Sequence, residues 1–226
     1  MLWAELMTRA EELWSEITDV YNAILNHPFI KGLVDGSLEE ERFRYYIVQD
    51  YHYLKSFSRA LAILSAKAPS PEQSLLFAAH VTHAITIERQ LHQSFLSEWG
   101  INPEDFEPSP TNLLYTSYIT SVVYSRPYYE GVSVVLPCYW IYMEVGRELL
   151  RRGGSANRAY QRWIETYASE EYGRGVRAVI DIINGFRLTE EQELEVRRHF
   201  RIASIFEYMF WDSAYRMERF PFRLGP

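Results

Sequence analysis

The sequence predicts an all-α fold in a single domain spanning residues 1–226, and three observations carry that prediction. Capping signals recur ahead of apolar stretches, and apolar residues return every three or four positions. No stretch alternates apolar and polar residues in the manner of a half-buried strand. With 226 residues, 47% of them hydrophobic and 23% charged, the chain can close around one full core and has the balance of a globular protein. The pattern divides into about seven helices in one bundle, with no linker, internal repeat or low-complexity tract.

Taken in order, the opening MLWAELMTRAEELW sets acidic residues within an amphipathic pattern, unlike the basic-then-apolar layout of a signal peptide. HPFIKGLVDG, residues 27–36, reads as a break. Ser37 with Glu40 three residues on forms a predicted capping box for a helix over about residues 38–66. KAPS closes that helix. Ser70, Pro71 at the first helical position and Gln73 open the next one, which carries HVTHAITIERQLH. GINPEDFEPSP, RRGGS and INGF mark further breaks, and the cysteine-bearing helix lies between the first two of these. Thr189 and Gln192 cap the last helix.

Three polar residues occupy positions where these stripes call for an apolar one. Phe43, Tyr46/Ile47, Asp50, Tyr53/Leu54, Phe57, Leu61 and Leu64 advance in helical steps, so Asp50 faces inward. Phe200, Ala203, Glu207, Phe210 and Ala214 do the same for Glu207, and Val134, Cys138, Ile141/Tyr142, Val145 and Leu149 for Cys138. Each acid alone reads as half of an internal ion pair or as a carboxyl hydrogen-bonded by tyrosines, since an unpaired core carboxylate costs several kcal/mol. A lone cysteine reads first as a small buried hydrophobe. Two acids and the only cysteine in the chain, all turned inward from three helices, favour a site. Pro137 frees the carbonyl of residue 133 beside the thiol; it serves either a kink or packing.

His80, His83, Glu88 and His92 share one helix and raise a metal reading. At about 100° per residue His80 and His83 lie on one side, with Glu88 and His92 around another. A di-iron bundle needs Glu-x-x-His pairs on two helices, and they are absent, so these histidines are expected on solvated faces and no metal or cofactor is expected. No phosphate-binding glycine loop and no Gly-x-Ser-x-Gly motif occurs. The net charge of −7 argues against a dedicated nucleic-acid binder. No apolar run approaches the roughly 20 residues of a membrane span, and a single cysteine gives no internal disulfide, so a cytoplasmic location without membrane or nucleic-acid partners is expected. With aromatic residues at 15% of the chain, tyrosines crowded beside polar groups suit a flat aromatic ligand.

The blocks HPFIKGLVDGSL, RFRYYIVQDYHYL, PSPTNLLYTSY, LPCYWIYMEVGREL, YQRWIETYAS and FEYMFWDSAYRME, in this order over about residues 27–218, resemble the TenA/thiaminase II family. The resemblance implies a haem-oxygenase-like helical bundle, a homotetramer, and a hydrolase of thiamin salvage with a small pyrimidine substrate. The implied product is 4-amino-5-hydroxymethyl-2-methylpyrimidine, released from the corresponding aminomethyl-pyrimidine or from thiamin. It matches Cys138 to the family's nucleophile, Glu207 to its acid and Asp50 to its pyrimidine-binding aspartate. It matches Tyr53, Tyr115, Tyr142, Tyr167 and Phe210 to its substrate-binding aromatics. Tyr51, His52 and the stretch TYASEEY depart from the family pattern and are expected to alter the pocket edge. The alternative is a non-catalytic hydroxymethyl-pyrimidine (phosphate)-binding or regulatory protein.

Overall fold

The computed structural model describes residues 7–87 and 93–225. The first six residues of the N-terminal stretch lie outside them, as do Glu88 and His92 of the metal reading. Among the described residues the structure is all-α, with helices α1 (Arg9–Glu16), α2 (Thr18–Asn26), α3 (Pro28–Asp35), α4 (Glu40–Lys67), α5 (Pro71–Ile87) and α6 (Gln93–Trp99). After a 3-10 turn at Pro103–Asp105 come α7 (Pro110–Ser125), α8 (Tyr128–Arg151), α9 (Arg158–Ala168), α10 (Glu170–Gly185) and α11 (Glu190–Arg216).

Eleven helices replace the expected seven among the described residues because several boundaries lack glycine. HPFIKGLVDG is itself the helix α3, with His27 as its N-cap accepting from the Phe29 N–H and Pro28 in the first turn. Ser37 does not cap α4. It sits in the turn that ends α3, where Gly36 takes φ +76° and the Asp35 carboxylate accepts from the Ser37 N–H. α4 starts two residues later, with Glu39 at the cap position and no side-chain capping bond. Thr189 and Gln192 do form a reciprocal capping box, and the Ser70 hydroxyl accepts from the Gln73 N–H.

α8 is the axis of the bundle and packs on α4, α7, α9, α10 and α11. Every residue from Glu130 to Tyr139 is buried, as expected of a helix enclosed on all sides. Pro137 lies inside it and removes the amide that would bond the Ser133 carbonyl. Gly146 allows the end of α9 to press on α8: a Cβ there would sit 2.8 Å from the Ala168 nitrogen. That approach brings Tyr167 against Tyr142, with ring centroids 4.8 Å apart.

Beside Asp50, the buried Gln49 fastens the 101–109 loop to α4. It accepts from the Ser109 N–H at 2.8 Å and donates to the Glu107 carbonyl at 3.1 Å. Tyr51 and His52 turn to the same loop, on Glu104 and the Pro103 carbonyl, and away from the cavity edge where they were expected.

Candidate active site

A cavity of about 290 Å³ opens between α4, α5, α8, α9 and α10. Its wall includes Asp50, Tyr53 and Phe57 from α4, Cys138, Tyr139 and Tyr142 from α8, and Tyr167 from α9. α5 contributes His80 and His83, and α10 contributes Glu171, Tyr172 and Gly175. Five of the eight candidate residues, Asp50, Tyr53, Cys138, Tyr142 and Tyr167, therefore share one wall. Glu207, Tyr115 and Phe210 form the layer behind it. Tyr115 and Phe210 pack on Tyr53 with centroids at 5.3 and 5.6 Å, and the Tyr115 hydroxyl donates to Glu207 Oε1 at 2.6 Å.

The electrostatics of this wall follow from burial. Glu207 is 2% exposed, and loss of solvent pushes its carboxyl up to about 8. The Tyr115 hydrogen bond opposes that shift, and the nearby Asp50 adds to it. Glu207 is therefore mostly protonated near neutral pH and able to donate. Burial likewise pushes the Cys138 thiol well above its ordinary range, Glu207 and Asp50 reinforce this, and Tyr53 counters it. The resting group is a thiol, not a thiolate. The Tyr53 hydroxyl is buried beside that thiol, and its interaction with the sulfur is what opposes the shift.

The tyrosines are held by one another. Trp163 Nε1 donates to the Tyr46 hydroxyl at 3.2 Å, which donates to that of Tyr142 at 3.3 Å. On the other side the Tyr172 hydroxyl donates to the Cys138 carbonyl at 3.4 Å. These bonds hold the wall tyrosines Tyr142 and Tyr172 in place.

His80 overturns the expectation of a solvated histidine. It is partly buried, its Nδ1 lies 3.1 Å from the Tyr139 hydroxyl, and burial together with His83 pushes it down to about 4. Helical spacing alone placed it on an outer side; α8 and α10 cover that side. Tyr139, Tyr172 and Glu171 were also missed as wall residues. Tyr172 and Glu171 lie in TYASEEY, whose departure from the family pattern does fall at the cavity edge.

Among the described residues one cluster has metal-ligand composition, Glu130, Glu195 and His199, remote from this cavity. Arg126 already supplies its positive charge, donating to Glu130 at 2.7 Å.

Residues 14–217 match the model of the TENA/THI-4/PQQC family. An aminopyrimidine aminohydrolase from Bacillus subtilis is 34% identical over 217 residues, covering 94% of this chain and 92% of its own. The structure of a TenA homologue from P. horikoshii OT3 superposes with a TM-score of 0.84 at 29% identity, covering 93% of this chain and 99% of that one. A domain with a haem-oxygenase-like fold from Shewanella denitrificans, 14% identical, covers 91% of each chain with a TM-score of 0.71 and speaks to the fold alone. The ordered sequence blocks, the bundle and these matches agree: the chain belongs to the TENA/THI-4/PQQC family.

Proposed function

We propose that this protein is an aminopyrimidine aminohydrolase of thiamin salvage that uses Cys138 as its nucleophile. The observation that carries the reading is the meeting of a buried thiol, a protonated Glu207 and an aromatic cavity in a chain similar to such a hydrolase. The flat ring would lie among Tyr53, Tyr142 and Tyr167, with Asp50 accepting hydrogen bonds from its amino-substituted edge.

The chemistry proceeds by addition and elimination. Cys138 forms an S–C bond to ring carbon C6 while Glu207 gives its proton to the adjacent ring nitrogen. The electron-rich ring then breaks the bond to the substituent on the 5-methylene and expels ammonia, which takes up the thiol proton. Water adds to the exposed methylene and forms the hydroxymethyl group. Its proton returns to sulfur as the C–S bond breaks, and the ring nitrogen gives its proton back to Glu207. A resting thiol fits this order, since its proton is the one that leaves with the ammonia.

The test is incubation of pure protein with the aminomethyl-pyrimidine and with thiamin, assaying ammonia, released thiazole and hydroxymethyl-pyrimidine separately. Ammonia and hydroxymethyl-pyrimidine in equal amounts are expected. Tight binding of the hydroxymethyl compound without turnover of either substrate overturns the hydrolase reading.

We further infer one cytoplasmic domain acting as a homotetramer. No helix among the described residues is long and apolar enough to cross a membrane. Leu113 and Leu114 on α7 and Leu194 on α11 are exposed apolar side chains suited to contact between copies. A monomer mass by light scattering at micromolar concentration overturns the assembly.

A further inference from the structure

The cavity wall is uneven in exposure. Asp50, Tyr53, Cys138, Tyr142 and Tyr167 are buried, whereas Ala79, His83 and Glu171 are exposed. The mouth therefore lies between α5 and α10, on the opposite side of the cavity from the layer that holds Glu207. Gly175 lies beside His80 at this mouth, where a Cβ would make ordinary contact with His80 Nε2 at 3.5 Å.

Among the described residues that line this mouth, the charged side chain is Glu171. Glu171 makes no ion pair or hydrogen bond with any described residue, while its neighbour Glu170 is engaged with Arg177 at 3.1 Å and Arg147 at 3.7 Å. His80 is neutral at physiological pH, held on the Tyr139 hydroxyl. None of the described lining residues is Lys or Arg. Among these described lining residues a phosphate would meet a carboxylate and no cation, whereas a positively charged group would meet a carboxylate that no described residue pairs.

We propose that this mouth is the subsite for the substituent on the reacting methylene, and that Glu171 makes it select cationic substituents over neutral or phosphorylated ones. This rests on the aminopyrimidine reading above and narrows its substrate class. An ammonium and a ring cation such as a thiazolium share the required chemistry, and both place a positively charged nitrogen next to the 5-methylene. The hydroxymethyl product carries none, so the same carboxylate that favours substrate entry does not retain the product.

Binding is measured in the Cys138→Ser protein, where turnover does not consume the ligand, with and without Glu171→Gln. The probes are the aminomethyl-pyrimidine, thiamin, the hydroxymethyl-pyrimidine and its phosphate. With Glu171 present, at least one cationic probe should bind about fivefold or more tightly than the hydroxymethyl compound, and the phosphate about tenfold more weakly. Glu171→Gln should bring the cationic and neutral probes to within about twofold and leave the hydroxymethyl Kd unchanged. Which cation loses affinity tells an ammonium site from a ring-cation site. A preference that survives Glu171→Gln, or a hydroxymethyl Kd that weakens as much as the cationic ones, overturns the assignment. Failure of all four probes to bind overturns the proposed function instead, and this subsite with it.

Discussion

Two glutamates in this bundle are equally hidden from water, at 2% exposure each, and their surroundings are opposite. Glu130, near the start of α8, accepts from Arg126 at 2.7 Å and lies 2.9 Å from His199 Nε2, whose Nδ1 meets the Tyr118 hydroxyl at 2.7 Å. Glu207, in the middle of α11, has one hydroxyl on one oxygen and no cation beside it among the described residues. The first acid is neutralised by its own chain and ties α8 to α7 and α11. The second is left to hold a proton. Burial alone thus marks neither acid as functional; the missing countercharge does, because a buried acid without one persists only where its proton has a use.

The largest effect that sharpens this contrast is expected at the thiol facing Glu207. Cys138→Ser should lower turnover by about a thousandfold or more while helical content and hydroxymethyl-pyrimidine binding persist, since a hydroxyl ionises far less readily than a thiol. More than about a tenth of wild-type activity, a deficit of only ~1.4 kcal/mol, would remove the covalent step and leave Glu207 with water as the better account. Iodoacetamide should inactivate the wild type slowly, given its protonated thiol, and bound pyrimidine should protect it.

Glu207→Gln comes next, with turnover falling about a hundredfold or more through loss of a positioned acid. Its stability should move the other way. The folded-state carboxyl titrates near 8 and the unfolded one near 4.5, so the folded state binds the extra proton between those values. The contribution of Glu207 is most favourable below about pH 4.5 and declines as pH rises to 8, by at most about 5 kcal/mol. Wild-type melting temperature should therefore fall from pH 5 to pH 8 more than that of Glu207→Gln. Parallel curves for the two proteins would show that Glu207 holds no such proton.

Glu130→Gln should do the reverse: stability loss with the chemistry intact. It strips the carboxylate from a buried histidine and a half-exposed arginine, at a cost of about 2–3 kcal/mol once the solvent access of Arg126 is allowed for. Denaturant unfolding should register the loss, and turnover per folded molecule should stay within about twofold. A hundredfold loss of turnover from this substitution would break the distinction between the two acids.

Much of this arrangement is legible from residue spacing. Asp50, Cys138 and Glu207 stand out because long helices repeat their apolar residues every three or four positions, so a single polar intruder is conspicuous. The all-α class is readable for the same reason. What the pattern hides is set by contacts between helices. Ser37 carries a capping-box signal, yet the C-terminal turn of α3 at Asp35 and Gly36 claims it. His80 looks solvated on its own helix and is covered only because α8 and α10 fold over it. The α9–α10 boundary at Ser169 contains neither glycine nor proline, so the entry of Glu171 and Tyr172 into the cavity has no local sign. For Glu130, Arg126 is an i,i+4 neighbour visible in the sequence, but His199 arrives from 69 residues away.

The smallest effects test the two regions through their tyrosine hydroxyls. Tyr118→Phe in the Glu130 network removes the partner of His199 Nδ1, leaves a buried nitrogen unsatisfied, and should cost about 1 kcal/mol with turnover unchanged. Tyr53→Phe removes a hydroxyl whose polar neighbour is the Cys138 thiol, so stability should hold within about 0.5 kcal/mol. Its effect should appear in the chemistry. The hydroxyl is the one influence pulling the Cys138 thiol down against burial, Glu207 and Asp50, and without it the thiol is pushed higher still. Alkylation by iodoacetamide at a fixed pH should slow, and turnover should fall by about threefold to tenfold in step with it. If Tyr53→Phe instead destabilises as Tyr118→Phe does and leaves the alkylation rate alone, the Tyr53 hydroxyl is structural and does not tune the thiol.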